Sequence, residues 1–211
     1  MSNPASSDHW VVDSVDQLDE LYGDPPSTAL TKEVGYITEL HRRFIDASPF
    51  VVIATSGPEG LDCSPRGDPA GLVRVVGSNT VLMPDRRGNN RLDSLRNIVR
   101  DPRVALLFLV PGIGVTLRIN GSARILSDPD LRASFTIDDK LPATVIEITA
   151  ERVYTQCPKA LLRSRFWDPE QHRTHDDVPT VGQIMEQITA GGIDGTSYDA
   201  EYPERLRTSM Y

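Results

Sequence analysis

Three short segments carry residues whose types and spacing suit an anionic ligand. The first is Pro84-Asp85-Arg86-Arg87-Gly88-Asn89-Asn90-Arg91, between a strand-like run and a helix-like run. Three arginines, a glycine and two amides meet a helix N-terminus there. Free backbone N–H groups and the helix dipole favour an anion at such a place, and guanidinium forks and amide donors suit phosphate oxygens. The same residues also fit a solvated turn in which Asn89 or Asn90 caps the helix. The second segment is Cys63-Ser64-Pro65-Arg66-Gly67-Asp68-Pro69. Arg66 can ligate a phosphate, and Gly67 permits close backbone approach; an Arg66–Asp68 surface pair in a rigid turn is the plainer reading. The third is Cys157 to Trp167. If this stretch is helical, Lys159, Arg163 and Trp167 share one face at i, i+4 and i+8. Two cations and an indole would then flank a planar anion, unless Trp167 simply anchors the helix to the core.

Other chemistries find less support. His172 and His175 with Asp176 and Asp177 suggest a metal site only faintly, since paired histidines in a polar stretch are usually solvated. Cys63 and Cys157 form no CxxC pair. Gly112-Ile113-Gly114 lacks the third glycine of a dinucleotide fingerprint, and no Walker, HExxH or GxSxG motif occurs.

The elements that would position these residues follow from pattern. Ser14 to Tyr22 reads as a short helix with Ser14 and Gln17 as a capping box. Leu30, Val34, Ile37, Leu40 and Phe44 predict one longer amphipathic helix. Phe50 to Thr55 and Leu61 to Ser64 read as a hairpin, and Leu72 to Val76 and Thr80 to Met83 as a second strand pair. A helix carrying Leu92, Leu95 and Ile98 follows. Val104 to Val110, Val115 to Ile125 and Ala143 to Tyr154 are strands, with Gly121 a bend or bulge. A short helix and loop fill 127–141, Pro158 to Trp167 is helical, and Val181 to Ile188 is a last helix. The tail from Asp194 shows no packed pattern of its own. Six or seven strands at hairpin spacing predict a mainly β, α+β fold: an antiparallel barrel with flanking helices, because closure removes exposed edges.

The bulk numbers fit this. The chain has 211 residues, a formal charge of −8 and 39% hydrophobic residues, which suits one domain with a full core. An acidic balance argues against nucleic-acid or anionic-membrane partners. No signal peptide or spanning segment is read, and two cysteines fit a reduced, cytoplasmic setting. The lysines are only Lys32, Lys140 and Lys159 against a large excess of arginine; a GC-rich genome or phosphate binding would each produce that bias.

The combined order of Ser64-Pro65-Arg66-Gly67-Asp68, the Pro84 to Arg91 loop, Leu92-Asp93-Ser94-Leu95-Arg96-Asn97-Ile98, Asp101 to Phe108, Leu117 to Ala123 and Cys157 to Trp167 resembles the pyridoxamine 5′-phosphate oxidase-like FMN-binding split-barrel superfamily, in particular a subgroup of FMN-dependent proteins without an assigned reaction. The resemblance implies a split barrel over residues 30–170, flanked by an N-terminal helical extension, 1–29, and a C-terminal helix and tail, 171–211. It implies bound FMN and a homodimer with two sites at the subunit interface. The cofactor-binding candidates it brings are Ser64, Arg66, Gly67, Asp85, Arg86, Asn89, Asn90 and Arg91, with Thr116 beside the isoalloxazine and Lys159, Arg163 and Trp167 closing the pocket. Where the oxidases show Ser-Arg-Lys, this chain has Asn89-Asn90-Arg91, so Arg86 or Arg87 would replace a missing cation. The oxidases' C-terminal element, a tryptophan-containing strand with its Arg-x-His substrate motif, is not read in the last fifty residues: Arg173-Thr174-His175 falls in the polar, irregular stretch Asp168 to Thr180 and not on a strand. The implied function is therefore FMN-dependent oxidoreduction of some other small molecule. A non-catalytic flavin- or haem-binding stress protein and an F420-dependent reductase stand as alternatives.

Overall fold

The computed structural model describes residues 10–210, so the first nine residues of the N-terminal extension and Tyr211 lie outside the description. The chain divides into a unit ending at Glu33 and a unit beginning at Val34. The first holds helices α1 (Val15–Tyr22) and α2 (Ser27–Thr31). Ser14 caps α1 by accepting from the Gln17 N–H, and the Gln17 side chain reaches Asp13 N, one residue beyond a reciprocal capping box.

The second unit begins where a continuous helix was expected. Instead, Val34 exchanges backbone hydrogen bonds with Val153 at 3.1 and 2.8 Å, and α3 starts only at Glu39, running to Ala47. The apolar period through Leu30 to Phe44 spans two helices with a β-bridge between them. Thr38 sets the later start. It accepts from His41 N while His41 Nδ1 accepts from Thr38 N, a reciprocal cap.

Seven strands follow: β1 (Phe50–Gly57), β2 (Gly60–Gly67), β3 (Arg74–Val75), β4 (Thr80–Asp85), then helix α4 (Asp93–Arg100), β5 (Arg103–Leu109) and β6 (Thr116–Leu126). Helix α5 (Pro129–Ala133) precedes β7 (Thr144–Gln156), and α6 (Lys159–Arg163), α7 (Val181–Ile188) and α8 (Gly195–Ser209) complete the chain. The sheet is wholly antiparallel, in the order β2-β1-β5-β6-β7-β4-β3. It curls. Side chains of β2 and its following loop reach β4 and its following loop, through Arg66–Asp85 and Asp68–Arg86, although these strands lie near opposite ends of the strand order. Side-chain bridges rather than a backbone ladder close that seam, which is the split of a split barrel.

Alternation along the strands fills the interior. Val51 and Ile53 of β1, Leu106 and Phe108 of β5, Leu117 and Ile119 of β6 and Ile146 and Ile148 of β7 are buried in one cluster, capped by Ile45 of α3 and Ile98 of α4. Each such side chain contributes about 1.5–3 kcal/mol by leaving water. The predicted irregularity in β6 is present: its register against β7 shifts between Asn120 and Gly121.

The C-terminus departs from expectation. The tail read as patternless forms α8, which packs against α7. Two glycines allow it: a Cβ on Gly182 would lie 2.2 Å from the Gly195 carbonyl oxygen. Asp199 then reaches across, accepting from the Thr180 hydroxyl and from Gly182 N. Its side chain thus supplies the partner for an orphan N–H of α7. Asp199→Ala should lower stability by about 1 kcal/mol, as a lost cap does. In hydrogen exchange, α7 and α8 amides should lose protection while those of β1, β5 and β6 keep theirs.

Candidate functional site

The curl brings β2 against β4 and the N-terminus of α4, and a cavity of about 1190 Å³ opens there. One face of β2 supplies Asp62, Ser64 and Arg66, at i, i+2 and i+4. These three, with Asp85 and Ser94, make a connected polar network. Arg66 Nη1 donates to Asp85 Oδ1 at 3.0 Å and Nη2 to Ser94 Oγ at 3.2 Å. The hydroxyls of Ser94 and Ser64 both donate to Asp62 Oδ2. Burial raises the Asp85 carboxyl above its ordinary range, and attraction to Arg66 only partly offsets this.

Within this network one strong donor is left over. Among the described residues, Arg66 Nε and Thr144 Oγ1 are buried without a hydrogen-bond partner, and both residues line the cavity. Unpaired buried polar atoms are uncommon and call for a ligand or water. A third source of donors is α4. Its N-cap, Leu92, is left-handed (φ 63°) and makes no side-chain cap, so the helix opens toward the cavity without a protein acceptor from that residue. Asn90 is also left-handed (φ 59°).

The expected site residues divide. Ser64, Arg66, Asp85, Arg86, Asn89, Asn90 and Arg91 line this one cavity. Arg86 does so as a brace: Nε donates to Asp68 at 2.7 Å and Nη1 to the Phe135 carbonyl at 2.7 Å. Arg91 pairs with Asp93 at 2.8 Å and is 73% exposed, so it belongs to the rim. Asn89 and Asn90 do not cap α4; Asn89 Oδ1 accepts from Arg91 N instead. Gly67 follows Arg66 onto the opposite, exposed face of β2 and does not line the cavity. Thr116 is buried at the start of β6, opposite Gln156, outside the cavity lining.

Lys159, Arg163 and Trp167 do not share one helix face. Helix α6 ends at Arg163, and Arg165 is left-handed (φ 51°), which turns the chain before Trp167. The Trp167 indole donates to the Ile113 carbonyl at 2.9 Å, fastening this segment to the β5–β6 turn. Lys159 and Arg163 are exposed and lie outside the cavity lining. His172 and His175 are likewise exposed and outside it.

The sequence reading missed Asp62, Ser94, Thr144, Arg132 and Lys140, which also line the cavity. The first two carried a signal. Asp62 has the two-residue period of Ser64 and Arg66, and Ser94 stands in the first turn of the helix that follows the arginine loop.

The class of protein is thus an antiparallel split barrel with a polar, arginine-bearing cavity beside a helix N-terminus. Residues 37–157 match the family described as pyridoxamine 5′-phosphate oxidase, and the chain belongs to that family. No curated protein matches the chain. Similar solved structures include HupZ of Group A Streptococcus (17% identity, 57% of this chain and 94% of that one, TM-score 0.48). A candidate pyridoxamine 5′-phosphate oxidase of Lactobacillus delbrueckii is 20% identical over 57% of this chain and 95% of that one, with TM-score 0.45. An FMN-binding protein of Syntrophomonas wolfei is 11% identical over 54% of this chain and 82% of that one, with TM-score 0.41. Among the described residues no helix is long and apolar enough to cross a membrane.

Proposed function

We propose that this chain is an FMN-dependent oxidoreductase of a small molecule, with the FMN phosphate held in the β2–β4–α4 cavity. The observation that carries the reading is Arg66: a half-buried guanidinium, oriented by Asp85 and Ser94, with a buried Nε that has no protein partner. Ser64, Asn89, Asn90, Arg91 and the open end of α4 complete a donor set suited to a phosphate monoester. Bound FMN supplies a two-electron acceptor; the chain's own part is to grip the headgroup, orient the ring and shape the substrate slot. Thr116 is our candidate for the ring's surroundings. Lys159 and Arg163, with Trp167 fastened behind them, are candidates for closing the site of a second copy.

A homodimer is part of the proposal. On β1 and β5 the outward positions Val52, Ala54, Ala105, Leu107 and Leu109 form an apolar patch that is only half buried in the single chain, and such patches favour association. The substrate is expected to differ from pyridoxamine phosphate, because among the described residues no strand follows β7 to carry an element like the oxidases' tryptophan strand, and Arg173-Thr174-His175 is exposed and outside the cavity lining. We assign the working compartment to the cytoplasm from the cysteine usage.

The test has two stages. Titration of flavin-free protein with FMN, read by flavin fluorescence, should show saturable binding of one FMN per chain. NADH or NADPH with a range of acceptors should then give steady-state turnover. Saturable binding without turnover by any donor would leave a flavin carrier and overturn the enzymatic reading.

A further inference from the structure

We propose that Asp85 couples binding of a phosphate monoester in this cavity to uptake of a proton, with Arg66 Nε and Thr144 Oγ1 as the donors that receive the anion. The identity of the ligand rests on the FMN reading; the proton coupling does not. Asp85 makes the cavity unusual as an anion site, because its carboxylate already holds Arg66 Nη1 at 3.0 Å. The pair is largely desolvated, with 22% and 11% of the two side chains exposed. Asp85 and Thr144 are direct partners across the β4–β7 ladder. The two buried polar atoms without partners therefore belong to Asp85's ion-pair partner and to its cross-strand neighbour. An anion that takes both must stand beside the Asp85 carboxylate.

One guanidinium cannot compensate two anions at this spacing in a poorly solvated site, so one of them is neutralised. A phosphate dianion carries the larger charge and can also draw on the α4 N-terminus, whereas Asp85 is the group burial already disfavours as an anion. The proton comes from solvent and ends on the Asp85 carboxyl.

The surroundings carry both signs, but the cations other than Arg66 are held elsewhere or on the rim: Arg91 is paired with Asp93, and Arg87 and Lys140 are exposed. From β2, Asp62 adds a further negative charge and Arg66 the positive one; from α4 come Asp93 and the neutral Ser94; β7 offers only Thr144. The α5–β7 connection brings Asp139 and Lys140, with Arg132 of α5 bonded to the Pro142 carbonyl. On Asp85's own segment, Arg86 is committed to Asp68 and Phe135, and Arg87 lies on the exposed rim. Among these side chains, Arg66 is the one hydrogen-bonded to Asp85.

The liganded Asp85 pKa is thus higher than the unliganded one. Affinity is greatest when the pH is low enough for Asp85 to be protonated, and falls as pH rises through the interval between the two values. The second phosphate ionisation, near 6, acts in the opposite direction only below that pH.

The experiment is calorimetric titration of the full chain with FMN, riboflavin and sulfate between about pH 5 and 8.5, in pairs of buffers with different ionisation enthalpies. Sulfate affinity, and FMN affinity above the phosphate ionisation, should fall with rising pH through the interval where Asp85 is ionised only in the free protein, about tenfold for each pKa unit of coupling, with measurable proton uptake there. Riboflavin, which lacks the phosphate, should hold a constant affinity. Asp85→Asn keeps an acceptor for Arg66 and should bind FMN with a flat profile, more tightly than the unmodified chain at the high-pH end. Parallel FMN and riboflavin profiles, or FMN binding without proton uptake, would overturn the proposal even if the variant fails to fold. If neither flavin binds, the FMN reading fails. Sulfate, a dianion with no titration in this range, then decides the coupling: uptake with binding supports it, and no binding or no uptake overturns it.

Discussion

Arg66→Ala is expected to weaken FMN binding by about a hundredfold while leaving riboflavin binding nearly unchanged. The substitution removes a half-buried guanidinium whose buried Nε is without a partner, and with it the donor that holds Ser94 Oγ at 3.2 Å. Charge-assisted hydrogen bonds of this kind are worth about 1.5–3 kcal/mol each, or roughly ten- to hundredfold in affinity. Asp85 loses its cation as well, and burial will drive it to the neutral acid rather than leave an unpaired carboxylate. Arg91→Ala provides the contrast. Its guanidinium is 73% exposed and already paired with Asp93, and an exposed pair contributes about 0–1 kcal/mol. Less than a tenfold effect is expected there. Fluorescence titration with both flavins checks the pair of variants. Equal losses at positions 66 and 91 would place the headgroup on the rim, not within the curl.

Gly121→Ala is expected to lower the unfolding free energy by about 3 kcal/mol, at the upper end of overpacking effects. A Cβ at this position would stand 1.9 Å from the Thr149 carbonyl oxygen and 3.2 Å from the Ala150 Cα. The obstruction is backbone of the paired strand, not the flexible end of a side chain, so relief requires β6 and β7 to part at the bulge. For a chain of this size the melting temperature should drop by roughly 10 °C. Thermal denaturation followed by circular dichroism reads it directly. A change of less than about 2 °C would mean that the close approach at the bulge is relaxed in solution. The effect bears on the site as well, because β7 carries Thr144 and pairs with β4, which ends at Asp85.

Local pattern revealed those parts of the fold that local pattern controls. Phe50 to Thr55 and Val104 to Val110 are apolar and β-branched, and they became β1 and β5. Gly121 interrupts a long alternating run, and a bulge was the economical explanation. The hairpin turn at Pro58-Glu59 closes between Gly57 and Gly60, between the two runs that read as a hairpin. Tertiary context decided the remainder. The apolar period from Leu30 to Phe44 is genuine helical spacing, but pairing of Val34 with Val153, far along the chain, outcompetes local helix formation there. Helix α8 offers little amphipathic signal and carries Pro203 in its interior. What holds it is the contact of two glycines with α7 and the reach of Asp199, and neither is visible as a period.

The site shows the same division. Arg66 and the Arg86 to Arg91 loop were legible because cations and amides at a strand–helix junction have few structural uses. Asp62 was passed over because Ser64 to Gly67 reads as a turn, whereas β2 extends to Gly67 and puts Asp62, Ser64 and Arg66 on one face. Thr144 had no local signal at all: it acquires its place only when β7 pairs with β4. Arg86 looked like a spare phosphate ligand, yet its bonds to Asp68 and Phe135 make it a strut of the curl. Trp167 looked like a stacking partner, yet its indole is bonded to Ile113. In both cases the structure supplies a partner from a distant part of the chain, which local pattern does not show.

The claim on which these expectations converge is that the Arg66 cavity grips the phosphate of FMN. The most direct measurement is the absorbance spectrum of freshly purified protein, followed by mass spectrometry of the molecule released on denaturation. An oxidised-flavin spectrum and the mass of FMN are the predicted result. A released haem or F420, or a chain that stays colourless and fails to take up added FMN, would contradict the account.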